Sequence, residues 1–312
     1  MHSTRIIFIL ICMLFFSHYS YSQEFTLLGT AGDGTCKTFP ALQRSLYTVN
    51  PDTGQMRFVG TPGFDGMTSL AYLDDGRLLA AGVQDVDTSI LVEINRATGQ
   101  GTLIGVIGNN NNPGECGRIP GMTYDSATDT LYAIARSCND INPQLVTINP
   151  DTAELTPIGE VGFNGGGFGL AIRGDGTLFA SVWNGDIFSL FTLNRTTGAS
   201  TLVGIMDTSG VGVDQCLGVG GLAFHPLTQQ LFASSHDCNE GTDGYLLAVD
   251  ESVPPSFNVQ GQTVDCFDGI AFVEGSAMNV PTISQWGLIA MAGLLGIVGY
   301  MVIRRKQLKT DS

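Results

Sequence analysis

Leu46-Tyr-Thr-Val-Asn-Pro-Asp-Thr-Gly-Gln-Met-Arg-Phe-Val-Gly60 is the stretch that decides the fold. An apolar run ends in Asn, the Asn and the Thr-Gly supply turn chemistry, and a second short run closes on Gly. That is the pattern of a β-hairpin. It recurs at Leu91-Val-Glu-Ile-Asn95 closing on Gly105, Leu145-Val-Thr-Ile-Asn149 on Gly159, Leu190-Phe-Thr-Leu-Asn194 on Gly204 and Leu246-Leu-Ala-Val-Asp250 on Gly261. The interval from Asn or Asp to Gly is 10 residues in four copies and 11 in the fifth.

After each closing Gly comes a variable Gly-rich loop and a second hairpin. Its first strand carries Leu70-Ala-Tyr72, Met122-Thr-Tyr124, Leu170-Ala-Ile172, Leu222-Ala-Phe224 or Ile270-Ala-Phe272. Its second carries Leu78-Leu-Ala80, Leu131-Tyr-Ala133, Leu178-Phe-Ala180 or Leu231-Phe-Ala233. A period of 45 to 56 residues with four strands in each is the signature of propeller blades. One second strand is missing from the series, and Phe25-Thr-Leu-Leu28 supplies it at the N-terminal end. Five sets of four then use every strand. The expected fold is all-β, a five-bladed β-propeller whose last blade combines three N-terminal strands with one C-terminal strand around Ile270-Ala-Phe272; a six-bladed ring or an open sandwich is the alternative. The Leu-Ala-Phe, Leu-Phe-Ala and Leu-Tyr-Thr-Val-Asn-Pro-Asp-Thr-Gly strings resemble YVTN-type and quinoprotein-like bacterial propellers.

Composition agrees. The chain has 312 residues, 41 of them Gly, with 43% hydrophobic and 14% charged residues. It is too apolar for disorder and too Gly-rich for a helical bundle. Between residues 23 and 279 there are 28 Asp and Glu against 9 Lys and Arg, a net charge of −19. A body this acidic repels phosphate backbones and anionic lipid headgroups, so nucleic acid is excluded as a partner while cations and neutral ligands remain.

The two ends read differently from the body. Residues 1–22 have the form of a secretory signal peptide, with Arg5, an apolar run from Ile6 to Phe16 and the small-residue pattern Ser20-Tyr-Ser22. Residues 23–279 form the exported domain. The remaining residues, 280–312, have three parts: Val280-Pro281-Thr282-Ile283-Ser-Gln-Trp286-Gly287, an apolar run over 286–303, and a basic tail, 304–312, opening with Arg304, Arg305 and Lys306. Eighteen apolar residues span about 27 Å as a helix, enough for a thin bilayer, and the basic flank stays cytoplasmic. This end resembles the IPTLxxWG-CTERM sorting signal of Gram-negative bacteria. Pro281, Thr282, Trp286 and Gly287 match that pattern, and Val280 and Ile283 replace Ile and Leu. The resemblance implies a membrane-anchored precursor, an exosortase-type sorting enzyme as partner, and delivery to the cell envelope or exterior; an ordinary membrane anchor is the alternative. It implies nothing about what the body does.

Candidate chemistry is sparse. Only His225 and His236 lie within the body, so no multi-histidine metal site can be built. Ser234-Ser-His-Asp237 holds triad residue types, but neighbours at a strand end cannot face one another as a triad requires. Asn164-Gly-Gly-Gly167 reads as a blade connection rather than a phosphate loop, and Trp183 is the body's only Trp, against the several expected of quinone-cofactor propellers. No cofactor is expected, with calcium the one candidate ion. The loops ahead of the first strands and after the second strands should share one face of the ring. That face gathers Asp65, Asp140, Trp183, Asp186, Asp237 and Asp268, with Phe64-Asp65-Gly66 and Phe267-Asp268-Gly269 aimed at the axial opening. It reads as solvated acidic loops, as a non-catalytic surface for a glycan or matrix ligand, or as a glycosidase-like carboxylate pair formed by Asp65 and Asp268.

Apart from Cys12 in the signal, six cysteines remain, an even number in an exported domain. Cys116 and Cys216 each lie six residues before their first-strand anchors Met122 and Leu222; Cys138 and Cys238 each lie seven after Leu131 and Leu231. The start of one hairpin strand neighbours the end of its partner. The frame therefore pairs Cys116 with Cys138, Cys216 with Cys238, and Cys36 with Cys266 across the closure. Peptide mapping without reduction should recover these three crosslinks; a Cys36 peptide joined to any partner other than Cys266 would contradict the frame.

Overall fold

The computed structural model describes residues 24–31, 45–85, 88–107, 118–136, 143–163, 166–183, 188–206, 217–237, 244–264 and 267–275. The expected transmembrane run 286–303, the sorting motif and all six body cysteines lie outside these residues. Among the described residues no helix is long and apolar enough to cross a membrane. Residues Phe25–Glu274 form one compact unit.

Twenty strands make five antiparallel sheets of four. The first blade joins β1 (Phe25–Ala31), β2 (Ser45–Val49) and β3 (Met56–Gly60) to the last strand of the chain. The second holds β4 (Asp65–Tyr72), β5 (Leu78–Asp85), β6 (Thr88–Ile94) and β7 (Gly101–Ile107). The third holds β8 (Arg118–Asp125), β9 (Thr130–Arg136), β10 (Gln144–Ile148) and β11 (Leu155–Glu160). The fourth holds β12 (Gly166–Ile172), β13 (Leu178–Trp183), β14 (Phe188–Leu193) and β15 (Ser200–Met206). The fifth holds β16 (Leu217–Phe224), β17 (Leu231–Asp237), β18 (Gly244–Asp250) and β19 (Ser256–Thr263). Strand β20 (Ile270–Glu274) pairs antiparallel with β1, Leu27 opposite Phe272 and Leu28 opposite Ala271, and so completes the first blade. The five-bladed ring with mixed terminal closure is the fold expected from the repeat.

Four of the five outer hairpins are built the same way. Asn50 Oδ1 accepts the N–H groups of Asp52 and Thr53 at 2.9 and 3.1 Å, and the Asn50 N–H donates to the Gln55 carbonyl. Asn95, Asn149 and Asn194 repeat the arrangement, which is why a short side-chain amide stands at the strand end. On the return strand the closing Gly stands opposite the Leu that opens the motif, and a β-bulge follows immediately: Leu46 with Gly60, Leu91 with Gly105, Leu145 with Gly159, Leu190 with Gly204, Leu246 with Gly261.

The closing glycines are fixed by the neighbouring blade. A Cβ on Gly60 would drive into the Thr98 carbonyl in the turn of the second blade, one on Gly159 into Thr197 of the fourth, and one on Gly261 into Thr53 of the first. Gly204 faces the ring of Pro255 instead, because the fifth turn has an extra residue and no Thr-Gly. Gly105 has more room, 3.2 Å from the Thr152 carbonyl, in the one turn where Ala153 takes the left-handed position at φ 60°.

The apolar core follows the same seams. One buried cluster fills each boundary between neighbouring blades, for example Leu79, Leu91 and Ile107 against Met122, Leu131 and Val146. Ala80, Ala133, Ala180 and Ala233 of the second strands are fully buried. Gly60→Ala and Gly261→Ala are each expected to cost about 1–3 kcal/mol, because backbone on the next blade must move, whereas Gly105→Ala should cost less than about 1 kcal/mol. Urea unfolding checks the order; equal losses at all three would contradict the seam packing.

Candidate functional site

The ring has two axial mouths, and the structure describes them unequally. At the mouth where inner strands begin, Asp65 opens β4 and is half-buried. Asp268 lies two residues ahead of β20 and is 9% exposed, its N–H donating to the Thr30 carbonyl at 2.9 Å and its own carbonyl accepting the Ser234 hydroxyl. Its carboxylate packs over Gly220 at the start of the fifth blade, where any Cβ would collide with it. Trp183 pairs with Gly166 at the start of β12, and Asp237 with Leu217 at the start of β16, so their backbones lie at this same mouth. Asp140 and Asp186, like the side chains of Trp183 and Asp237, lie outside the described residues. Among the described residues no group of three or more His, Cys, Asp or Glu is arranged to hold a metal ion.

The opposite mouth, where the five inner strands end, holds a cavity of about 620 Å³ that the sequence reading did not single out. The last motif residues of the inner strands stand around it: Tyr72, Tyr124, Ile172, Phe224 and Phe272. Four of these five equivalent positions are aromatic. Beside that collar Ala71, Thr123, Ala223 and Ala271 also line the space. The rim is polar. Ser126 donates its hydroxyl to Asp74 at 2.6 Å, and the Tyr124 phenol donates to Asp129 at 2.7 Å. Burial pushes both phenols above the ordinary tyrosine range; the hydrogen bond to Asp129 adds to the rise at Tyr124, and the Arg96 guanidinium opposes it at Tyr72.

Arginines lock the blades together around this mouth. Arg96 of the second blade donates to the Glu274 carbonyl of the first at 2.8 Å and sits 5.0 Å over the Tyr72 ring. Arg77 reaches Asp151 of the third blade at 2.8 Å, Arg195 of the fourth reaches Asp125 of the third at 2.5 Å, and Arg173 reaches Glu251 of the fifth at 3.2 Å. The fifth seam, where the ring closes, carries an aromatic stack: the His225 imidazole lies 4.8 Å from Phe272 and 6.0 Å from Phe25. These four arginines belong to a body with 9 cationic residues, so much of its positive charge is spent in seams. Hydrogen bonds from the Arg173 guanidinium and the Thr177 N–H hold the Asp175 carboxyl well below the usual carboxylate range.

Comparison with known proteins identifies the tail. Residues 280–306 carry the IPTL-CTERM motif. The motif marks an exported protein whose C-terminal sorting signal anchors it transiently in the membrane and is processed by an exosortase-type enzyme, after which the protein stands at the surface. The chain is similar to an uncharacterized protein of Dictyostelium discoideum, 30% identical over 122 residues, 36% of this chain and 34% of that one. The chain thus spans about a third of that relative's length. Among solved structures it resembles the exo-β-1,3-galactanase of Phanerochaete chrysosporium, with TM-score 0.51 and 12% identity over 74% of this chain and 62% of the other. It also resembles TolB from Acinetobacter baumannii, with TM-score 0.44 and 11% identity over 80% and 66%. At 12% identity the likeness to the galactanase is one of fold.

The seams make a graded prediction. Asp125 is 5% exposed and Arg195 a third exposed, so Arg195→Met strands a buried carboxylate and should cost about 2 kcal/mol, less than the ~3–5 of a fully buried pair. Arg77→Met should cost under about 1 kcal/mol, since its partner Asp151 is 72% exposed. The Asp175 pair stabilises above the unfolded carboxylate pKa and is lost as pH falls through that range and below. Arg173→Gln should therefore narrow its stability gap to wild type on acidification; a constant gap across pH would contradict the pairing.

Proposed function

We propose that this chain is an exported, envelope-associated propeller that binds a surface or matrix ligand without transforming it. The observation that carries this reading is a closed five-bladed ring followed by an IPTL-CTERM motif at residues 280–306. A signal peptide over 1–22 starts export, the run over 286–303 holds the precursor in the inner membrane, and an exosortase-type enzyme releases the body toward the envelope. The mouth where inner strands begin serves as the ligand face, with Asp65, Asp140, Asp186, Asp237 and Asp268 as polar contacts and Trp183 as a stacking platform for a glycan. Calcium bridges ligand to carboxylates there if any ion is used. The three cysteine pairs staple the ring for life outside the cell.

A hydrolase reading would use Asp65 and Asp268 as the two carboxylates. The galactanase likeness lends it the fold and not the chemistry. In a host that carries the sorting enzyme, the wild-type chain should yield a shortened, surface-exposed form, while Pro281→Ala accumulates as an uncut membrane-bound precursor. Wild-type protein that stays uncut in the inner membrane would overturn the sorting half of the proposal. On a glycan array run with calcium and with chelator, binding without turnover supports the ligand face. Turnover lost in Asp65→Asn or Asp268→Asn, with folding intact, would favour the hydrolase.

A further inference from the structure

The cavity at the far mouth invites a second assignment, independent of the ligand face above. Its volume of about 620 Å³ falls in the range of about 300–1,000 Å³ typical of ligand pockets. Its inner wall is the collar of Tyr72, Tyr124, Phe224 and Phe272. Its charged lining is Asp74, Asp125, Asp175 and Glu274 with Arg173 and Arg195, and the Arg96 guanidinium stands beside Glu274, donating to its carbonyl at 2.8 Å, so one negative charge is left in excess and Asp74 carries it. Both guanidiniums are already committed, Arg195 to Asp125 and Arg173 to Asp175 and Glu251. No cation of the lining is left over to receive an anion.

We propose that this cavity is a binding site for an organic cation, an ammonium group carried on a slim apolar body. The half-buried Tyr124 ring offers its surface to the apolar body and its quadrupole to the charge, while Tyr72, already under Arg96, and Phe224 and Phe272, 8% and 7% exposed, complete an apolar wall. Asp74, an exposed residue of the turn after β4, accepts one hydroxyl from Ser126 and keeps acceptor capacity for an ammonium. The acidic body draws cations toward the mouth and repels anions. A neutral saccharide could stack on the same rings but would leave the charge excess unanswered.

The test is calorimetric titration of the full chain, in nonionic detergent, with 1,4-diaminobutane and with 1,4-butanediol, which share a carbon skeleton and differ in charge. The diamine should bind saturably and the diol should not. Asp74→Asn should weaken the diamine at least threefold with an unchanged melting temperature, while Glu154→Gln, the same charge change on an outer turn, should leave it unaffected. Equal binding of diol and diamine, or binding of lactose in preference to either, would overturn the proposal in favour of a neutral polyol site. Equal weakening by Asp74→Asn and Glu154→Gln would reduce the effect to diffuse charge and also overturn it, as would a folded protein that binds no diamine.

Discussion

The structure depends on a contact repeated around the ring: the turn of one blade's outer hairpin lies against the closing glycine of the blade before it. Thr98 on Gly60, Thr152 beside Gly105, Thr197 on Gly159, Pro255 on Gly204 and Thr53 on Gly261 form a closed series in which the last blade touches the first. Backbone stands nearest at four of the five, and at Gly60, Gly159 and Gly261 it leaves no room for a side chain. That spacing sets how near the sheets stand, and hence how the five apolar seams fill. Asn at the strand end, Thr-Gly in the turn and Gly at the bulge are parts of one device. Its dimensions are local to a blade, but its purpose lies in the neighbour.

Closure has its own demands. Four blades are continuous in sequence, and only the first draws its inner strand from the far end of the chain. The pairing of Leu27 with Phe272 therefore supports β20, its packing against β4 and β16, and the aromatic stack of His225 with Phe25 and Phe272. The other four seams are crossed by arginine on the cavity side. A ring closed in this way sets its inner strands around the axis and leaves its outer strands as the peripheral sheet edges.

The repeat was legible because strands and turns are written locally. Alternation in Leu46–Asn50 and its four counterparts, Asn at the turn and Gly at a fixed distance are read within fifteen residues, and counting them yields both the blade number and the terminal closure. The cavity was hidden for the converse reason. Tyr72, Tyr124, Phe224 and Phe272 each read as the end of an ordinary core strand, and only the ring brings four aromatics to one mouth. Their equivalence was visible in the strings ending Leu-Ala-Tyr, Met-Thr-Tyr, Leu-Ala-Phe and Ile-Ala-Phe, had the last letter been read as a column. Asp125 and Arg195 are 70 residues apart and meet only across a seam. Asp65 is the first residue of β4 and Asp268 stands two residues ahead of β20, and burial of Asp268 over Gly220 is a tertiary fact that no local pattern carries.

Native-state hydrogen exchange measures closure most directly. If β20 completes the first blade, the amides of Leu28 and Ala271 should exchange only with opening of the whole ring, at the same free energy as amides of β12 and β13 in the continuous fourth blade. If those amides exchange through a separate, lower-energy opening while the fourth blade stays protected, β20 is an appendage and the closed five-bladed ring is contradicted.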